Sequence, residues 1–334
     1  MYKSDIIHNG QPCFGQWFGD IQNPDPRDYR LKNGRILSRL IRPFREKRWQ
    51  YLGLYTPELF MGLALVHAGY VGNVFCYVFD RKRGVLWEQE RLAPLGAGIR
   101  IDRALYSGVS SYHTEHERVR IEARNGMRVV DVRLKDKNQD LDVRLELNDD
   151  PNPLQIVTPT RESDFTFTHK GAGLKANGRI RLGSHRWSIT DERAALDFTF
   201  GFPAHHTIWQ WLSGHGTTKA GKAFSINGVA PIFHDSFHEN IVWIEGEPTV
   251  LSPLIFVFDA QNPHKEWVIK TEDGSTEFCF QPEGMRRQNI NYRIIASRFV
   301  QPFGTLRGFC TDKHGTRHEI DQACGVVEDH EARW

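Results

Sequence analysis

The stretch DFTFGFPAHHTIWQWLSGHG, residues 197–216, gathers an aspartate, three histidines and two tryptophans. In AALDFTFGF, strand alternation puts Leu196, Phe198 and Phe200 on one face and Asp197 with Thr199 on the other. If that second face points into a barrel, a carboxyl buried among aromatics without a charge partner stays protonated and can act as a general acid. If it points outward, Asp197 is an ordinary surface carboxylate. His206 is the histidine expected to act with Asp197 as an acid–base pair. Trp209 and Trp211 share one strand face, as do Trp49 and Tyr51. Such pairs either fill a core or line a cavity, where they would shield a developing carbocation or hold a polyene. Tyr112-His113-Thr114-Glu115-His116-Glu117 also alternates, so Tyr112, Thr114 and His116 face together into the first barrel or into solvent. The expected site is therefore Asp197 and His206 as catalytic residues, with Trp49, Tyr51, Tyr112, Trp209 and Trp211 as ligand-binding residues.

Other chemistry is disfavoured. His205 and His206 are adjacent and point to opposite faces of an extended strand, and no H-x-H with a carboxylate completes a ligand set with His215, so no metal is expected. There is no G-x-x-x-x-G-K-[ST] loop, G-x-G-x-x-G turn, G-x-S-x-G elbow or H-E-x-x-H pair, and no cofactor is expected. Glu328, Asp329 and His330, with Arg333 and Trp334, read as a lock on the C-terminus, made by an arginine–carboxylate pair and a buried indole.

The elements that must position these residues are strands. RVRIEAR (118–124), MRVVDVRLK (127–135) and DLDVRLEL (140–147) alternate apolar and charged residues, as half-buried antiparallel strands do, and RNG and DKNQ between them are turn sequences. Similar short strands recur every eight to twelve residues or so, the pattern of an all-β barrel or sandwich. Helix is expected only in RILSRLIRPF (35–44), where Ile36, Leu37, Leu40 and Ile41 share a helical face before Pro43. From Arg27 to Arg48 that region carries nine basic and two acidic residues. It reads as a solvated connection, or as a surface for acidic lipid headgroups or an anionic substrate.

At 334 residues the chain is long enough for two domains. Trp49-Gln50-Tyr51-Leu52 and Trp209-Gln210-Trp211-Leu212 echo each other 160 positions apart (209 minus 49). Together with the length, the echo predicts two similar β-domains, 1–160 and 161–334, divided in the proline-containing stretch DDPNPLQIVTPTRESD (149–164). A net charge of +2 gives no field for nucleic acid. No run of about 18 apolar residues suggests a membrane helix, and the opening MYKSDIIHNG lacks a signal-peptide core. Five scattered cysteines, with no C-x-x-C pair, fit reduced thiols in a cytoplasmic protein.

Several stretches resemble a bacterial family known as domain-of-unknown-function family 2804. They are KRWQYLGLY, the GYVGNVFCYVFDRKRG hairpin, THKGAGL (168–174), Gly178 to Ile180, Asp197 with Gly201, Trp209 with Trp211, and the closing Gly-x-x-Glu-Asp-His-x-x-x-Trp. More distantly, the layout is similar to the carotenoid hydratase and AttH-like superfamily. That resemblance implies two tandem lipocalin-like (calycin-like) antiparallel β-barrels with little helix, and an aspartate that donates a proton to a carbon–carbon double bond. In this chain Phe198 and Phe200 replace the histidine and tryptophan that flank the aspartate in the hydratases. The expectation is an apolar, aromatic-lined cavity in the C-terminal half that binds a hydrophobic, isoprenoid or lipid-like molecule. The protein would act as a hydratase, isomerase or cyclase, or as a carrier or scaffold.

Overall fold

The alternating segments pair as their turn sequences require. Arg118–Arg124 and Met127–Leu134 form an antiparallel hairpin with Arg124 opposite Met127. The two residues between them, Asn125 and Gly126, both have positive φ (51° and 73°), the conformation a two-residue hairpin needs to match strand twist. Val119, Ile121 and Ala123 are buried while Arg118, Arg120 and Arg124 face water. A computed structural model describes residues 5–22, 24–31, 33–38, 40–160, 164–232, 234–291 and 296–333.

Two large antiparallel sheets account for most of these residues. The main path of the first runs, in spatial order, through Val85–Pro94, Val71–Asp80, Leu59–His67, Lys47–Tyr55, His185–Gly201, Phe165–Leu182, Leu141–Asn148, Met127–Leu134, Arg118–Arg124, Val109–His113 and Ile99–Arg100. The second runs through Glu247–Val250, Ile241–Ile244, Ala223–Ala230, His206–Thr217, Arg317–Arg333, Ala296–Thr311, Thr276–Asn291, Trp267–Thr271 and Leu254–Val257. Both curl toward closure, which gives the expected all-β, tandem-barrel architecture. The long strands bend where the register slips, at Ala172/Leu174, Ala176/Gly178 and Leu306/Gly308. Gly178 has φ +144°, and a Cβ there would lie 2.1 Å from the Arg144 carbonyl oxygen, so the bend requires glycine.

The chain divides into two compact units: Met1–Leu54, Met61–Tyr77 and Trp87–Pro203 form the first, and Tyr55–Phe60, Val78–Leu86 and Ala204–Trp334 the second. The sequence placed the division at 160/161. Phe165–Leu182 and His185–Gly201 instead pair with Leu141–Asn148 and Lys47–Tyr55, so these strands complete the first sheet. Strand pairing outweighs the prolines near 150, which mark only a loop.

The expected helix is confined to Arg42–Arg45. Of its proposed apolar face only Leu37 is buried; Ile36, Leu40 and Ile41 are exposed. Arg39 within that stretch lies outside the described residues, as does the C-terminal Trp334.

Candidate functional site

In the first unit, Asp197 stands opposite Tyr51 on one neighbouring strand and opposite Lys170 on the other. It is buried, and its Oδ2 lies 2.8 Å from the Lys170 ammonium, itself buried. The Trp49 indole donates to the same oxygen at 3.3 Å and the Thr199 hydroxyl to Oδ1 at 3.2 Å. The sequence-based acid role required a carboxyl without a charge partner, whereas this one has a lysine. Leu196 and Phe198, not Asp197, line a small cavity with Gln50, Ser110, Arg128 and His169, with room for about one water molecule. His169 is wholly enclosed there, and burial, aided by the Arg128 charge, holds its imidazole well below the ordinary range. Trp49, Tyr51 and Asp197 are thus brought together, with the Tyr51 hydroxyl 3.4 Å from that of Tyr77. Tyr112 is buried elsewhere in the unit, beside the Arg91–Glu117 ion pair. The alternation expected to continue past it ends in a turn, where the Thr114 N–H donates to the Glu117 carbonyl.

In the second unit, Leu212 and Val327 belong to a packed core with Phe224, Trp267, Phe278 and Phe280. Trp209, Trp211, Ser213 and His215 occupy the opposite face of their strand. Trp211 donates to Asn227 at 2.9 Å. His215 lies against Tyr55 of the same unit, with ring centroids 5.2 Å apart and Nε2 2.9 Å from the Tyr55 carbonyl oxygen. His206, at the strand's exposed start, is partnered by Glu331 (Nε2–Oε1 2.9 Å).

On that same face lies a polar cluster built on Glu328 and His330, which the sequence reading took as a lock on the C-terminus. The Glu328 carboxylate, with 8% of its side chain exposed, accepts the Trp209 indole N–H at 2.8 Å and the Gln301 amide at 2.9 Å. His330 packs between the Trp209 ring (centroids 4.2 Å) and the edge of Phe299 (5.1 Å, 83°). Its Nε2 is 2.9 Å from the Ser297 hydroxyl, and its Nδ1 is 3.5 Å from Glu328 Oε1, short of a formed hydrogen bond. Ser297, Trp209 and His330 are half-buried and reachable from solvent. The arginine that pairs with Asp329 is Arg298, at 2.8 Å, not Arg333.

The two clusters have the same construction. Trp49 pairs with Thr199 and Tyr51 with Asp197; Trp209 pairs with His330 and Trp211 with Glu328. In each unit the first aromatic reaches diagonally to the carboxylate opposite the second, and the next strand supplies a donor, Lys170 or Gln301. The Trp-Gln-x-Leu echo was the signal that could have located Glu328. It was missed because the carboxylates are 131 positions apart (328 minus 197), whereas the tryptophans are 160 apart.

The sequence pattern of one protein family, described as domain of unknown function (DUF2804), matches residues 13–334. No curated protein sequence matches the chain significantly. Among solved structures, an AttH protein from Nitrosomonas europaea superposes with a TM-score of 0.50 at 15% identity, covering 91% of this chain and 95% of that one. The protein CghA, crystallised with Sch210972, gives 0.50 at 9% identity, covering 87% and 89%. Kievitone hydratase from Nectria haematococca gives 0.46 at 12%, covering 85% and 88%. The family match agrees with the resemblance read from the sequence motifs, and the AttH and CghA structures share the tandem-barrel fold.

Proposed function

We propose that this chain, which belongs to the family described as domain of unknown function (DUF2804), binds an apolar, lipid-like small molecule on the aromatic face of its second sheet and performs acid–base chemistry on it. The observation that carries this reading is the Glu328–His330 pair set between Trp209 and Phe299. Glu328 accepts from the neutral donors Trp209 and Gln301, and a carboxylate so held can balance an imidazolium formed beside it. His330 is the proton donor and acceptor, Ser297 orients it, and the half-exposed Trp209 ring holds the ligand and shields positive charge as it develops. Protonation of a carbon–carbon double bond, followed by water addition, isomerisation or ring closure, is the reaction class this set serves. A solved CghA structure contains a small molecule, Sch210972, on the same architecture. In this reading Asp197, neutralised by Lys170, and His206, engaged with Glu331, are structural, and Trp49, Tyr51 and Tyr112 belong to the packing of the first unit.

The test begins with mass spectrometry of apolar molecules that co-purify with the protein, followed by turnover on a panel of isoprenoid and unsaturated lipid substrates in isotopically labelled water. Glu328→Gln and His330→Gln are expected to retain ligand while turnover falls about 100-fold or more. Unchanged turnover in both variants would remove the pair from the mechanism. Ligand without turnover in the unaltered protein would make it a carrier.

A further inference from the structure

The basic stretch preceding the first long strand presents an unusual surface. Ile36, Leu40, Ile41 and Phe44 are 53%, 82%, 53% and 50% exposed, four large apolar side chains within nine positions. Around them stand Arg27, Arg30, Arg35, Arg42 and Arg45. Of the acidic residues nearby, Asp25 is paired with Arg27 and Glu46 is buried beneath Arg48 and Arg103, which leaves Asp28 as the exposed carboxylate within the stretch. A soluble surface does not ordinarily spend this much apolar area in one place.

The segment is fastened to the first unit. Leu37 is buried, and Arg30 and Ile36 form a β-bridge. Arg45 pairs with Asp164, and the Lys47 ammonium donates to the Phe44 and Ala68 carbonyls. Gly69 lies so close that a Cβ there would meet the Pro43 carbonyl oxygen at 2.2 Å. The exposed apolar side chains therefore belong to a segment held against the first unit.

We infer that this segment docks the protein on an anionic membrane surface, with Leu40, Ile41 and Phe44 entering the boundary between headgroups and acyl chains while the arginines bind lipid phosphates. Partial insertion of a few apolar residues, reinforced by several basic ones, is the combination that gives reversible attachment where neither contribution suffices alone. The charge complementarity selects an anionic lipid surface over a second copy of the chain, whose identical arginines would repel. The inference stands independently of the proposed chemistry in the second unit.

Co-flotation of the full chain with vesicles tests it. Binding is expected to phosphatidylcholine vesicles containing phosphatidylglycerol and to be lost with phosphatidylcholine alone. It should also weaken as the Debye length falls from about 10 Å to about 3 Å between 0.1 M and 1 M salt. Two variants, Leu40→Ser/Ile41→Ser/Phe44→Ser and Arg35→Glu/Arg42→Glu, should each reduce binding by about tenfold or more while near-ultraviolet circular dichroism stays unchanged. The first variant alters exposed side chains, so its fold is preserved. Absence of flotation with the anionic vesicles overturns the inference. So does undiminished binding of the triple-serine variant, or vesicle-free self-association through this face in light scattering.

Discussion

His169 shows how much one side chain can report. It is enclosed among Arg128, Gln155 and Tyr106, and its imidazole is held neutral by burial. The unfolded chain binds a proton at that position near pH 6.5, and the folded protein does not. Stability contributed by neutral His169 is therefore complete above about pH 6.5 and is lost as pH falls, by up to about 1.4 kcal/mol per pH unit. Urea denaturation at pH 7.5 and 5.5 should show a fall in unfolding free energy that is smaller in His169→Gln, by about 1 kcal/mol. Equal falls in the two proteins would show that the site protonates without opening. Nothing in the sequence marked His169. It lies within THKGAGL as one polar residue of a strand, and only the curl of the sheet turns that face inward.

At the scale of the element, three adjacent strands are repeated: one carrying aromatics two residues apart, one carrying the carboxylate, and one carrying its donor. The N-terminal copy closes the set with an ammonium and the C-terminal copy with an amide. Lys170→Gln therefore gives Asp197 the kind of neutral donor that Glu328 has. Removing one member of a buried pair leaves an uncompensated charge, and a loss of about 3 kcal/mol is expected by urea denaturation. Asp197→Asn/Lys170→Gln should recover most of it, because no lone charge remains; full additivity of the two single losses would show that the pair is not coupled. This is also the scale at which the sequence was most legible. Alternation revealed the strands, Asn125-Gly126 the hairpin turn, and the Trp-Gln-x-Leu echo the duplication. It could not show which face of each strand lies inside, since both faces of 196–200 and of 209–215 are largely buried. A strand likewise gives no sign of the lysine that lies across from Asp197 on a neighbour.

For the whole molecule, the controlling fact is that neither unit is one continuous stretch of chain. The second unit includes the hairpin tips Tyr55–Phe60 and Val78–Leu86. Phe60 and Phe79 pack on Phe303 (centroids 5.6 and 4.8 Å), Tyr55 stacks on His215, and Arg81 makes a two-pronged ion pair with Glu283 (2.8 and 2.7 Å). A fragment covering only 204–334 lacks all of these partners. It is expected to lack fixed tertiary structure by near-ultraviolet circular dichroism and to bind a hydrophobic dye, whereas the full chain unfolds cooperatively. A folded, dye-free fragment would refute this account. The prolines near 150 promised a clean boundary, but a boundary of that kind exists only where the backbone passes between units once.

These hairpin tips also set a timetable for biosynthesis. Tyr55, Phe60 and Phe79 leave the ribosome well before His215 and Phe303, which cover them. Between residue 86 and Phe303 another 217 residues (303 minus 86) must be added, roughly 11–43 s at about 5–20 residues per second. Throughout that interval the nascent chain displays aromatic loops with nothing to close over them. The period of greatest exposure to chaperones, proteases and neighbouring nascent chains therefore falls during translation, and it ends only when the strands carrying His215 and Phe303 have been released.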